Sequence, residues 1–215
     1  MMQSVNKVLL PFVYWLLMIS TPVHSQSLED ILQAVEAGQT RTVSGLLDKG
    51  LDANTTDKAG YSLLMLASRF GHREMVAMLI SRKADVRRRS AVGDTALMMA
   101  SLRGDLDTMK LLLEAGAEVK HEGWTPLHYA AFEGAAPAVR YLLEKGADKD
   151  AVAPNGYTPL MIAARNGKAD AAKAILYEDP DVNFRTSTGE TALKIARDRG
   201  MQELVELLRR AGGVE

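Results

Sequence analysis

Gly123-Trp124-Thr125-Pro126-Leu127-His128-Tyr129-Ala130-Ala131 decides how the rest of this chain is read. A turn glycine is followed by a threonine placed to cap a helix, since its side-chain oxygen can accept a free backbone N–H of the first turn. Pro126 takes the first helical position, where a missing N–H costs nothing. Weaker copies flank this stretch: Ser62-Leu63-Leu64-Met65-Leu66-Ala67, Thr95-Ala96-Leu97-Met98-Met99-Ala100, Thr158-Pro159-Leu160-Met161-Ile162-Ala163 and Thr191-Ala192-Leu193-Lys194-Ile195-Ala196. The glycine two places before each hydroxyl residue is Gly60, Gly93, Gly123, Gly156 or Gly189, so the spacings are 33, 30, 33 and 33 residues. Self-similarity at that period signals stacked supersecondary units.

Within each period the pattern predicts a short helix, a tight turn and a second helix. Gly38, Gly71, Gly104, Gly134, Gly167 and Gly200 end the first helices. Five residues on come Val43, Val76, Met109, Val139, Ala172 and Val205, and the pairs Leu46-Leu47, Leu79-Ile80, Leu112-Leu113, Leu142-Leu143, Ile175-Leu176 and Leu208-Arg209 complete a helical stripe. The first unit lacks the turn signature, and Ser27 with Asp30 is expected to cap its first helix. The last unit ends its stripe on Arg209 and Arg210, as a terminal repeat with a polar outer side should.

The Thr-Pro-Leu-His-x-Ala motif at Thr125–Ala130, with its copies in register, resembles the ankyrin repeat over nearly the whole length after residue 25. The resemblance implies an all-α solenoid of about six helix–turn–helix units with short β-hairpin fingers. The units run approximately over 27–56, 57–89, 90–120, 121–152, 153–185 and 186–215. Two connections depart from the pattern. Ala117 to Gly123 is three residues short, which truncates one finger. Pro180 stands where a Gly-Ala pair is usual, so an irregular fifth connection is expected there.

Residues 1–25 read as a separate segment. Lys7 precedes an apolar run from Val8 to Ile19, and Val23-His24-Ser25 has the small-x-small form of a cleavage site. This describes a secretory signal peptide with a mature start at Gln26, leaving 26–215 as the repeat domain. An uncleaved anchor is the alternative, although twelve apolar residues fall short of the roughly 18–20 that span a bilayer. The expected location is the periplasm of a bacterium, or alternatively outside the cell.

Composition excludes several function classes. A net charge of −1 gives no bulk attraction for nucleic acid. The absence of cysteine removes disulfides, Cys-ligated zinc and thiol chemistry. No nucleophile elbow, phosphate-cradling loop or metal-ligand cluster is present. His128 is the motif histidine, which the resemblance implies bonds neighbouring turns, and His72 stands at the turn between helices. Met65, Met98 and Met161 replace the motif histidine in other units and read as core filling rather than a thioether copper site. Neither an enzyme nor a cofactor is expected.

The resemblance implies a protein partner, bound as a monomer on a concave side lined by fingers and first-helix faces. The matching positions give Tyr61, Arg69, Phe70, Leu102, Arg103, Trp124, Phe132, Tyr157 and Arg165 as candidate contacts. Aromatic and arginine side chains are the usual anchors of interfaces. Trp124 and Phe132 form the central pair in this reading, whereas Tyr129 and Tyr141 fall in the buried register. Arg87-Arg88-Arg89 is a basic fingertip that suits solvent, an acidic partner patch or an anionic envelope polymer. Some small exported bacterial proteins of this kind are linked to peroxide defence, so a catalase or other redox enzyme is an alternative partner. A secreted effector acting on host proteins is a further alternative.

Overall fold

The computed structural model describes residues 23–214, and every named element among them is a helix. The twelve helices form six helix–turn–helix pairs in chain order. They are α1 (Val23–Glu36) with α2 (Thr40–Asp48), α3 (Leu63–Phe70) with α4 (Arg73–Ser81), and α5 (Ala96–Arg103) with α6 (Leu106–Glu114). The remaining three are α7 (Pro126–Glu133) with α8 (Ala136–Glu144), α9 (Pro159–Arg165) with α10 (Ala169–Leu176), and α11 (Ala192–Asp198) with α12 (Gln202–Arg210). First helices pack on first helices of the neighbouring repeats, and second helices on second helices, making two rows. From the second to the fourth repeat the first helices contact one another more extensively than the second helices do.

The caps form as the repeated hydroxyls predict. Ser62, Thr95, Thr125, Thr158 and Thr191 are extended, and each accepts the N–H of the third helical residue. Each such bond is worth about 1 kcal/mol. The helix start expected at Ser27 is corrected, because α1 already begins at Val23 and Ser27 lies inside it. No glycine or proline between Val23 and Glu36 stops that helix.

The first helices are almost wholly buried, and the second helices bury one stripe. Met65, Met98 and Met161 are at most 1% exposed, as core filling requires. The stripe pairs Val76 with Leu79, Met109 with Leu112, Val139 with Leu142, Ala172 with Ile175 and Val205 with Leu208. In the first repeat it shifts by one residue, to Val43 and Leu47, and Leu46 is only partly covered at the open end of the stack. Neighbouring turns press together between the rows. A Cβ on Gly134, which has φ of 88°, would lie 2.7 Å from Lys168 Cδ in the next repeat.

Two expectations about the connections are corrected. The fingers are tight turns rather than β-hairpins, and among the described residues a single antiparallel bridge, Thr56 to Ser62, is all the β-pairing present. Four fingers keep two backbone bonds centred on one residue, which donates to the residue four places on and accepts from the one three places on. In one of them Ser90 N–H donates to Asp94 C=O at 2.9 Å and Gly93 N–H to Ser90 C=O at 3.0 Å. Bonds of that kind do not form in the shortened segment 117–123, which is too brief to fold back on itself. The fifth connection is regular despite Pro180. Asp179 takes the left-handed conformation, φ 52°, that Gly50, Gly116 and Gly146 take at the same repeat position, and Pro180 is buried in the place of Ala117 or Ala147. Only the backbone bond from that position is lost, because proline has no N–H to donate.

Residues 1–22 lie outside the described residues, and with them most of the expected signal segment. Among the described residues no helix is long and apolar enough to cross a membrane.

Candidate functional site

The residue after each finger glycine stands at the same place in successive repeats and points along the first-helix row. In order these are Tyr61, Asp94, Trp124, Tyr157 and Glu190. The Tyr61 hydroxyl donates to Asp94 Oδ2 at 2.6 Å, and the Tyr157 hydroxyl to Glu190 Oε2 at 3.1 Å. Each bond spans 33 residues and joins adjacent repeats. Asp94 is buried, and its other oxygen, Oδ1, accepts from Tyr129 at 2.5 Å. One carboxylate thus ties three repeats. Tyr61 is raised above its usual pKa mainly by the Asp94 hydrogen bond, and Tyr129 and Tyr157 mainly by burial.

His128 is buried beneath this row. Thr125 N–H donates to its Nδ1 at 3.2 Å, so Nε2 carries the proton and donates to the Ala151 and Tyr157 carbonyls, both at 3.1 Å. The imidazole thereby closes a capping box within its own repeat and holds the next finger in place. Burial lowers its pKa to about 4, so the ring is neutral at physiological pH.

Above it lies an open apolar cup of about 270 Å³, lined by Leu102, Trp124, His128, Tyr129 and Phe132. Trp124 packs edge-on to His128 and Tyr129, with ring centroids 5.6 and 6.1 Å away. Phe132, at the end of α7, is 48% exposed. The truncated finger immediately precedes Trp124 in the chain. The cup offers apolar surface and ring faces. Among the described residues no three His, Asp or Glu side chains converge as metal ligands.

The family model for ankyrin repeats, in three copies, matches residues 1–90, 87–153 and 147–214. The chain belongs to the ankyrin-repeat family. The human ASB11 ankyrin repeat domain shares its fold with a TM-score of 0.79 at 25% identity, over 86% of this chain and 84% of that one. An ankyrin repeat domain from Acinetobacter baumannii AYE matches with a TM-score of 0.73 at 27% identity, over 86% of this chain and 98% of that one. No curated protein matches the sequence. Ankyrin repeats generally mediate contacts between proteins and are generally non-catalytic.

Of the nine candidate contacts, the ankyrin stack brings Leu102, Trp124 and Phe132 together in the cup. Tyr157 and Arg165 form a second group, with the guanidinium 5.4 Å from the ring centre. Tyr61 is half-buried and its hydroxyl is used within the array. Phe70 stacks on His72 at 6.1 Å, away from the cup, while His72 Nε2 bonds the Glu36 carbonyl at 3.1 Å. Arg69 and Arg103 are exposed at the ends of their helices, and Arg103 reaches the Arg69 carbonyl at 3.4 Å.

Tyr129 and Tyr141 are corrected from core to half-buried. The Tyr129 ring lines the cup, whereas Tyr141 lies between Lys110 and Lys145 on the outer row. The basic fingertip is also less free than its sequence suggests. Arg87 donates to the Gly116 carbonyl and Arg89 to that of Gly93. Asp94 and Glu190 stand at the matching concave positions but are not among the nine candidate contacts. The signal for them was an acid 33 residues after each finger tyrosine, at the same repeat position.

Proposed function

We propose that this ankyrin-repeat protein is a non-catalytic interaction module of the bacterial cell envelope, exported by its N-terminal segment. It holds a folded protein partner against the first-helix face, centred on the cup. The observation that carries this reading is Phe132. It is a large ring 48% exposed beside Leu102 and Trp124, at a position the stack does not need for its core. Contiguous exposed apolar surface rimmed by polar groups marks binding sites. The envelope location is supported by Lys7, the apolar run Val8–Ile19 and the Val23-His24-Ser25 exit.

Affinity capture from an envelope extract tests the reading, with wild type and Phe132→Ala compared by mass spectrometry. A partner retained by wild type and released by the variant is the expected result. Identical retention moves the binding surface elsewhere. N-terminal sequencing of the exported protein tests the location, and the expected first residue is Gln26. Met1 in the membrane fraction would establish the anchor instead.

A further inference from the structure

The ion pairs of this stack are distributed unevenly. On the outer side, cations meet carboxylates between successive repeats: Arg82 with Asp48 at 2.6 Å, Arg73 with Asp107 at 2.7 Å and Lys173 with Glu203 at 2.9 Å. On the inner side, Arg69, Arg103, Arg165 and Arg199 are all exposed at the ends of first helices. None of the four has a carboxylate within 4 Å among the described residues.

The acids of the same face are mostly occupied. Asp94 accepts from two phenols, Glu190 from Tyr157 and Thr188, and Asp198 pairs with Lys194 at 2.5 Å. Glu122 and Glu133 remain exposed, and both belong to the central repeat beside the cup. The charges of the face that have no partner of opposite sign within 4 Å therefore run as two arginines, an apolar cup with two acids, then two arginines that share an open pocket with Glu190 and Asp198.

From this arrangement we infer that the partner presents an apolar anchor flanked on both sides by acidic residues. The inference rests on the interaction reading above and specifies the partner's chemistry. Arg69 and Arg103 meet the acids on one side, and Arg165 and Arg199 those on the other. Glu122 and Glu133 keep acids out of the centre. First helices pack roughly 8–10 Å apart, so α3 to α11 spans about 32–40 Å. That distance is covered by about ten to twelve residues of extended chain. The step from the cup to Arg165 corresponds to about four of them on the same spacing. Guanidinium forks suit carboxylates because two parallel N–H donors meet the two oxygens.

The test uses the full chain and fluorescently labelled synthetic peptides of about twelve residues, sized by that span. The first has a central Leu-Phe pair and three glutamates at each end. The second has lysines for the glutamates, and the third has Ser-Ser for Leu-Phe. Anisotropy should show the first binding at least tenfold more tightly than either control, and more weakly as salt is raised. The doubly reversed variant Arg69→Glu with Arg165→Glu, its fold checked by circular dichroism, should lose that binding at least tenfold and gain the lysine peptide. Failure of the first peptide to bind overturns the inference. So does equal binding of either control, or equal or tighter binding of an oligothymidylate of the same length. If Phe132→Ala still releases a captured protein while the glutamate peptide fails, the interaction reading stands and only the acidic chemistry falls. If Phe132→Ala changes neither measurement, the face itself is wrong.

Discussion

The Tyr129 hydroxyl donates to Asp94 Oδ1 at 2.5 Å, fastening the fourth repeat to the third through a buried carboxylate that has no cationic partner within 4 Å among the described residues. Tyr61 occupies the other oxygen at 2.6 Å, so the charge is held by two phenols. Hydrogen bonds to charged groups contribute about 1.5–3 kcal/mol each, and shared ones do not add fully. Asp94→Ala should therefore lower unfolding free energy by about 3 kcal/mol, and Tyr61→Phe by about 1 kcal/mol, in urea denaturation. Burial and Asp94 raise Tyr129 above 10.0, its usual value. Above that pH the unfolded chain loses a proton that the folded chain retains, so stability should fall as pH rises past 10.

Acid should act on His128. Its pKa drops from 6.5 to about 4 on folding, chiefly through burial. Between those values the unfolded chain binds a proton that the folded chain refuses. The contribution is complete above 6.5 and is lost as pH falls to about 4, on the order of 3 kcal/mol at 1.36 kcal/mol per unit. His121, also lowered by burial, acts in the same direction. His128→Met, the residue that Met65, Met98 and Met161 place at this position, should flatten most of that slope in denaturation curves taken from pH 7 to 4.

Lys83 and Asp179 have φ of 62° and 52° at the repeat position where Gly50, Gly116, Gly146 and Gly212 stand. A left-handed backbone costs a side-chain-bearing residue roughly 1–2 kcal/mol, partly offset by the greater freedom of unfolded glycine. Lys83→Gly and Asp179→Gly should each raise stability by about 0.5–1 kcal/mol. A thermal midpoint lowered by either change would contradict this account.

Trp124 and Phe132 share the cup but differ in what their removal costs. Phe132 projects from the helix end, and Phe132→Ala should leave stability within about 1 kcal/mol of wild type. Trp124 is half-buried against His128 and Tyr129. Its truncation should cost about 2 kcal/mol, below the 3–5 expected of a fully buried ring. Urea midpoints of the two variants check this, and they make Phe132→Ala the cleaner probe of binding.

The fold was readable because the residues that make it act locally. Thr125 caps its own helix, Pro126 starts it and Gly134 ends it, all within ten residues. The stripe of Leu112 and Leu142 follows from helical spacing alone. The site was less readable because its bonds run between repeats. Tyr61 looked like a contact for a partner, but its hydroxyl is used by Asp94 one repeat away. Tyr129 looked buried because its register faces the core, where Leu66, Met99, Ile162 and Ile195 stand in other repeats, but its longer side chain reaches out to Asp94 and its ring lines the cup. The expected irregularity at Pro180 did not arise, because Asp179 tolerates the backbone conformation that the connection needs.

Leu102 belongs to α5 and Phe132 to α7, so opposite walls of the cup stand on different repeats. The width of the cup is therefore set by an angle. The bond from Tyr129 to Asp94 pins the joint, and the shortened finger above it adds no backbone ties across the opening. With helices about 10 Å apart, tilting one repeat by about 10° moves a wall by about 2 Å. Any change of tilt between the third and fourth repeats therefore reaches the cup as a change of aperture.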